Sequence, residues 1–167
     1  KARGVRGPLI HYEEDGLFPN LEDAWNINRK AVEDGDVAFG YMLAGGTGGT
    51  TGASFEGSRK LFYSPGTYNI YSVNNVYDKG VNQNNKCGFF WGAYMNRNKC
   101  YDISTGEPDV IKALIEIHSD RNVVRANSTD PNALTQKKAE EPITPQEAIM
   151  KTEGNLFPAN DLREYLS

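Results

Sequence analysis

Apolar side chains in this sequence never gather into a long run: they come in short clusters separated by glycine, asparagine and charge. Leu, Ile, Val and Phe make up about 21 % of the 167 residues, close to the level below which a chain cannot offset its lost conformational entropy by burial. A bilayer-spanning helix needs about twenty consecutive apolar residues, and no such stretch exists. Length is adequate for one core, because a compact chain of this size buries roughly 70 % of its extended surface. The expectation is therefore one thin core surrounded by long polar loops, leaning on other surfaces for part of its order.

With 18 Lys and Arg against 22 Asp and Glu, the formal net charge is −4. Nucleic-acid binding rests on clustered cations that neutralise phosphate, so no nucleic-acid partner is expected. Lys1, Arg3 and Arg6 form the one basic arm, read first as a solvated terminus. The sequence begins at Lys1 without Met, which is compatible with a removed targeting segment. The compartment, an organelle or the exterior, is left open. Asn127-Ser128-Thr129 matches a glycosylation acceptor, a triplet frequent by chance in an Asn-rich chain.

Along the chain, residues 1–15 carry Gly, Pro and charge without period and are expected to form an extended arm. Residues 16–121 are expected to hold a single core domain. Its first helix should follow Pro19 and the capping Asn20, carry Leu21, Ala24, Trp25, Ala31 and Val32 near one face, and stop at Gly35. The apolar run Val37 to Leu43 reads as a buried strand or a short helical turn, weakened by Gly40. Residues 45–52 form a Gly-Thr loop. From Phe55 to Asp102, aromatic and β-branched residues interleaved with Asn, Gly and Ser favour short strands and turns over helices.

The clearest helix spans 108–118, with Pro108 in its first turn and Val110, Ile111, Leu114, Ile115 and His118 at helical spacing. Residues 122–143 read as a polar linker and 144–167 as a helical tail. Within the tail, Thr144-Pro145-Gln146-Glu147 has the form of a capping box opening a helix to Gly154, and a last helix starts at Asn160.

Two internal echoes stand out. Leu17-Phe18-Pro19 near one end resembles Leu156-Phe157-Pro158 near the other, each before an Asn-capped helix. They are either the same hydrophobic staple used twice or a duplicated partner-docking motif. Asn85-Lys86-Cys87 returns as Asn98-Lys99-Cys100 around the most aromatic segment of the chain.

Most catalytic patterns fail on inspection. Residues 45–52 lack the Lys and the following helix of a phosphate loop, and Thr51 and Gly57 break the dinucleotide pattern. His11 and His118 are the only imidazoles, and the two cysteines and two histidines lack paired metal-ligand spacings. Adjacent pairs such as Glu13-Glu14 are not opposed across a cleft.

The cysteine segment carries three alternatives. Its aromatics build core and the thiols stay free, or Cys87 and Cys100 close a disulfide worth about 3 kcal/mol. The third is capture of a flat ligand: a thiol of Cys87 or Cys100 as attachment point, Arg97 for a carboxylate, Asp102 as acceptor, and Trp91 and Tyr94 as stacking surfaces. That set suits a covalently attached linear tetrapyrrole, a bilin-like chromophore.

The expected fold is α+β, a small irregular antiparallel sheet in the middle third packed by two main helices, with extended loop-rich termini. The expected function is that of a non-catalytic structural or linker component whose partners are other protein subunits of a larger assembly. The alternatives are a chromophore-carrying linker and a secreted, disulfide-bonded binding domain.

Overall fold

In the computed structural model, the residues described are 6–35, 37–48, 55–78 and 85–149. The chain is α+β, and it divides into two compact units. The first is Lys1–Thr47 with Ala53–Phe89, and the second is Gly48–Gly52 with Phe90–Ser167. The division runs through residues 16–121, which the sequence suggested as one core. A chain with few large apolar residues fills two small interiors, each with its own local contacts.

The first unit is built on a β-α-β element. Strand β1 (Leu9–Glu13) pairs in parallel with β4 (Tyr41–Gly45), in register from Leu9 opposite Tyr41 to Glu13 opposite Gly45. Parallel strands need a crossover, and α1 (Leu21–Arg29) lies on it. Between α1 and β4, β2 (Glu33–Asp34) and β3 (Val37–Ala38) form a short antiparallel hairpin. Gly35 in its turn has a φ of 61°, open to glycine without steric cost.

Side chains alternate across the strands, so Ile10, Tyr12, Met42 and Ala44 turn toward α1 and join Leu21, Trp25, Leu61 and Tyr68 in the core. Two polar tips in this core are satisfied. Trp25 Nε1 donates to Tyr68 O at 3.0 Å and Tyr12 Oη to Ala24 O at 3.1 Å. Each large side chain so buried contributes about 1.5–3 kcal/mol.

Helix α2 (Glu56–Tyr63) supplies Leu61. It lies in the zone read as strands and turns, where one helical turn's worth of apolar spacing was hidden among Gly, Ser and Arg. Strands β5 (Val73–Asn74) and β6 (Lys86–Cys87) pair antiparallel and form the small irregular piece expected in the middle third. Of the expected arm 1–15, Leu9–Glu13 form β1, a structural member of the first unit, and Asp15 opens a 3-10 turn.

The second unit is helical. Its main helix α3 (Val110–Asn127) runs nine residues beyond the expected end at His118. Helices α4 (Ala133–Glu140) and α5 (Pro145–Ala148) follow, α4 packing on α3 and α5 on α4. Residues 122–143 are therefore not a linker. Their polarity belongs to the solvent faces of two helices, and Ala139 is fully buried.

The buried residues of this unit include Cys100, Ala113, Ile117, Ala139 and one charged side chain, Arg121. The Arg121 guanidinium donates to both Glu147 carboxylate oxygens at 3.0 and 2.8 Å and to Glu141 O at 2.8 Å. Gly48 is needed where it sits, because a Cβ there would lie 2.2 Å from Ala139 O and 2.5 Å from Ala148 O.

Two caps differ from expectation. Asn20 occupies the N-cap of α1 and Thr144 that of α5, yet neither side chain bonds a helix N–H. Glu147 instead accepts from Ile143 N at 2.8 Å while holding Arg121, so a buried ion pair has drawn it from the capping box. The helix expected to run from Thr144 to Gly154 is α5, which is helical over Pro145–Ala148 only, and the helix expected to begin at Asn160 lies outside the described residues.

Candidate functional site

The cysteine segment is held by local turns. Cys87 sits on β6 opposite Val73. Cys100 follows Lys99, whose φ of 62° turns the chain so that Cys100 N reaches Arg97 O and Cys100 O accepts from Asp109 N. Both thiols are free and buried, so the disulfide weighed from their spacing is not formed.

Burial raises the Cys87 thiol above its ordinary pKa, with the charge of Asp78 adding to the effect. Burial also raises Cys100, helped by a hydrogen bond with Glu116. Nucleophilic cysteine chemistry requires the thiolate, and both environments oppose it.

Of the residues offered for a ligand, Trp91, Tyr94, Arg97, Cys100 and Asp102 fall in the second unit and Cys87 in the first. Arg97 was expected to meet a ligand carboxylate. It is taken up by the chain's own acids, Glu141 at 2.9 Å, Glu116 at 3.7 Å and Asp120. Hydrogen bonding to Asp120, with the charges of Glu141 and Asp120, raises its pKa against an opposing effect of burial.

Asp102 has likewise been used internally. It accepts from the Ser104 hydroxyl, from Ser104 N at 2.7 Å and from Thr105 N at 3.1 Å, and these bonds lower its carboxyl pKa. Tyr94 lies in the 3-10 turn Ala93–Met95, half-buried, with its ring over Gly92. Trp91 is exposed over more than half its surface. His118, expected on the apolar face of a helix or at its end, is exposed in the middle of α3; His11 is exposed on β1.

The docking residues divide the same way. Leu17 closes the 3-10 turn Asp15–Leu17, and Phe18 stands edge-on to Tyr12 with ring centroids 5.5 Å apart. Both are substantially exposed, as is Pro19. Leu156, Phe157 and Pro158 lie outside the described residues.

Sequence reasoning missed three outward apolar groups. Leu9, Tyr41 and Leu43 form the outer face of the β1–β4 pair, Tyr41 being 80 % exposed. Ile111 and Ile115, four apart, project from α3, and Ile103 stands 94 % exposed in the turn that Asp102 organises. A signal for the first existed: Tyr41-Met42-Leu43-Ala44 is apolar at every position, the mark of a strand covered on both faces. The run Val37 to Leu43, read as a buried strand or a short helical turn, is split between β3 and β4, with Val37, Phe39, Tyr41 and Leu43 exposed and Met42 packed against the core.

Among the described residues no group of three His, Cys, Asp or Glu is disposed to hold a metal ion, and no helix is long and apolar enough to cross a membrane. Against family models, curated proteins and solved structures, the chain has no match.

Proposed function

We propose that this chain is a non-catalytic structural component of a larger protein assembly, seated against neighbouring subunits through its outward apolar faces. The observation that supports this most is strand β4, apolar toward both sides while α1 covers one: its outward Tyr41 and Leu43, with Leu9 of β1, are exposed, beside the polar His11 and Glu13 of β1. Parallel strands are ordinarily buried on both faces, and contiguous apolar surface on regular elements marks contact with another molecule. The internal use of Arg97 and Asp102, and the shielding of both thiols, fit residues engaged in holding shape.

Native electrophoresis of an extract from the source cells, with mass spectrometry of each band, tests the proposal. The expected result is recovery of the chain in a band with other polypeptides, and its release from that band on Tyr41→Asp. Recovery only in bands containing no other polypeptide overturns it.

A further inference from the structure

We propose that a second copy of this chain pairs antiparallel with β4, joining two β1–β4 pairs into one four-stranded sheet. Alternate residues of a strand direct their backbone groups to opposite edges. Tyr41 N donates to Pro8 O at 2.8 Å, so Tyr41, Leu43 and Gly45 turn theirs toward β1, and Met42 and Ala44 turn theirs to the far edge. Among the described residues no strand occupies that edge.

Edge strands that remain unpaired are usually guarded by Lys, Pro, a bulge or an inward charge. The sequence of β4, Tyr-Met-Leu-Ala-Gly, has no Lys, Pro or charge.

The groups on this edge also fix the register. Only pairing about Leu43 lets Met42 and Ala44 of each copy exchange both of their bonds, making four in all. That register sets Leu43 against Leu43 of the second copy, as a close, non-hydrogen-bonded pair, and Tyr41 across from Gly45. An aromatic ring over an edge glycine is a stabilising arrangement, and no like charges meet. The other edge is less suitable: β1 paired with itself about His11 would oppose two imidazoles and set Glu13 against Leu9.

The inference reaches beyond the assembly reading and fails separately from it. A chain that pairs only with itself needs no larger assembly, and a monomer could still be a subunit of one.

Sedimentation equilibrium of the full chain over a range of concentrations, with amide hydrogen exchange, tests it. The expected result is a monomer–dimer equilibrium in which the Met42 and Ala44 amides gain protection as the dimer forms. Ala44→Pro removes an outward donor while leaving the bonds to β1, and should give a monomer. Leu43→Lys, at an exposed position that folding does not require, opposes two ammonium groups and should weaken the dimer about tenfold or more. A wild-type chain that stays monomeric at every concentration overturns the proposal, as does a dimer that Leu43→Lys leaves at full strength.

Discussion

At Asp15, burial works directly against charge. Loss of solvent raises its carboxyl above the ordinary value of 3.8, the neighbouring charge of Glu14 adds to this, and the Ser58 hydroxyl and Gly16 N–H pull part of the way back. A carboxyl raised on folding binds more protons in the native state than in the unfolded one. Stability therefore falls as pH rises from near 3.8 through the raised native value, and stays lower at neutrality. Asp15→Asn should raise the urea midpoint at neutral pH and flatten this acid-side dependence. A variant less stable than wild type at neutral pH would mean that the hydrogen bonds to the ionised form outweigh its burial. Asp102 carries the opposite sign, its stabilisation being present above 3.8 and lost as pH falls through its lowered native value. From sequence, Arg97 and Asp102 were legible as polar groups beside aromatics, but not as groups already satisfied. Glu141, which Arg97 holds, is 44 residues away, a distance that no local pattern spans.

Among the elements, those with local signals were the legible ones. Pro19 and the acidic first turn of Glu22 and Asp23 announce α1, and the spacing of Val110, Ile111, Leu114, Ile115 and His118 announces α3, although the face it buries is that of Ala113, Ile117 and Arg121, with Ile111, Ile115 and His118 exposed. The end of α3 was not legible, because Asp120 and Arg121 look like a polar exit from a helix while Arg121 in fact points inward to Glu147. Helix α4 was concealed in the same way: Lys137 and Glu141, and Gln136 and Glu140, pair at i,i+4, a helical pattern that resembles a charged linker when periodicity is sought only in apolar residues. The pairing of β1 with β4 depends on a crossover of more than twenty residues and leaves no mark in either strand alone. At the start of α3, Asp109 accepts from Lys112 N at 3.0 Å, one of the otherwise unpaired N–H groups of a first turn. Asp109→Ala should cost about 1 kcal/mol of stability, read from denaturant midpoints, whereas Asp109→Asn should recover most of it. Equal losses in both variants would assign the effect to charge at the helix terminus instead of capping.

For the whole molecule, the consequence of two interiors is two kinds of stability. The first unit rests on large rings and aliphatics, Tyr12, Leu21, Trp25, Leu61 and Tyr68, while the second buries Arg121 and balances it with Glu147. Removing one partner of a buried ion pair leaves an uncompensated charge, at a cost of about 3–5 kcal/mol. Glu147→Gln should therefore weaken the second unit far more than the first, and the chain carries its own reporters. Cys87 is buried in the first unit and Cys100 in the second, so brief alkylation across a urea series, with each thiol identified by peptide mass, reads them separately. In the variant the midpoint for Cys100 should fall by about 1 M or more, given slopes of about 1–3 kcal/mol/M, while that for Cys87 moves much less. If both thiols become reactive together and shift equally, the two units unfold as one, and the division seen in the packing is not a division of the stability.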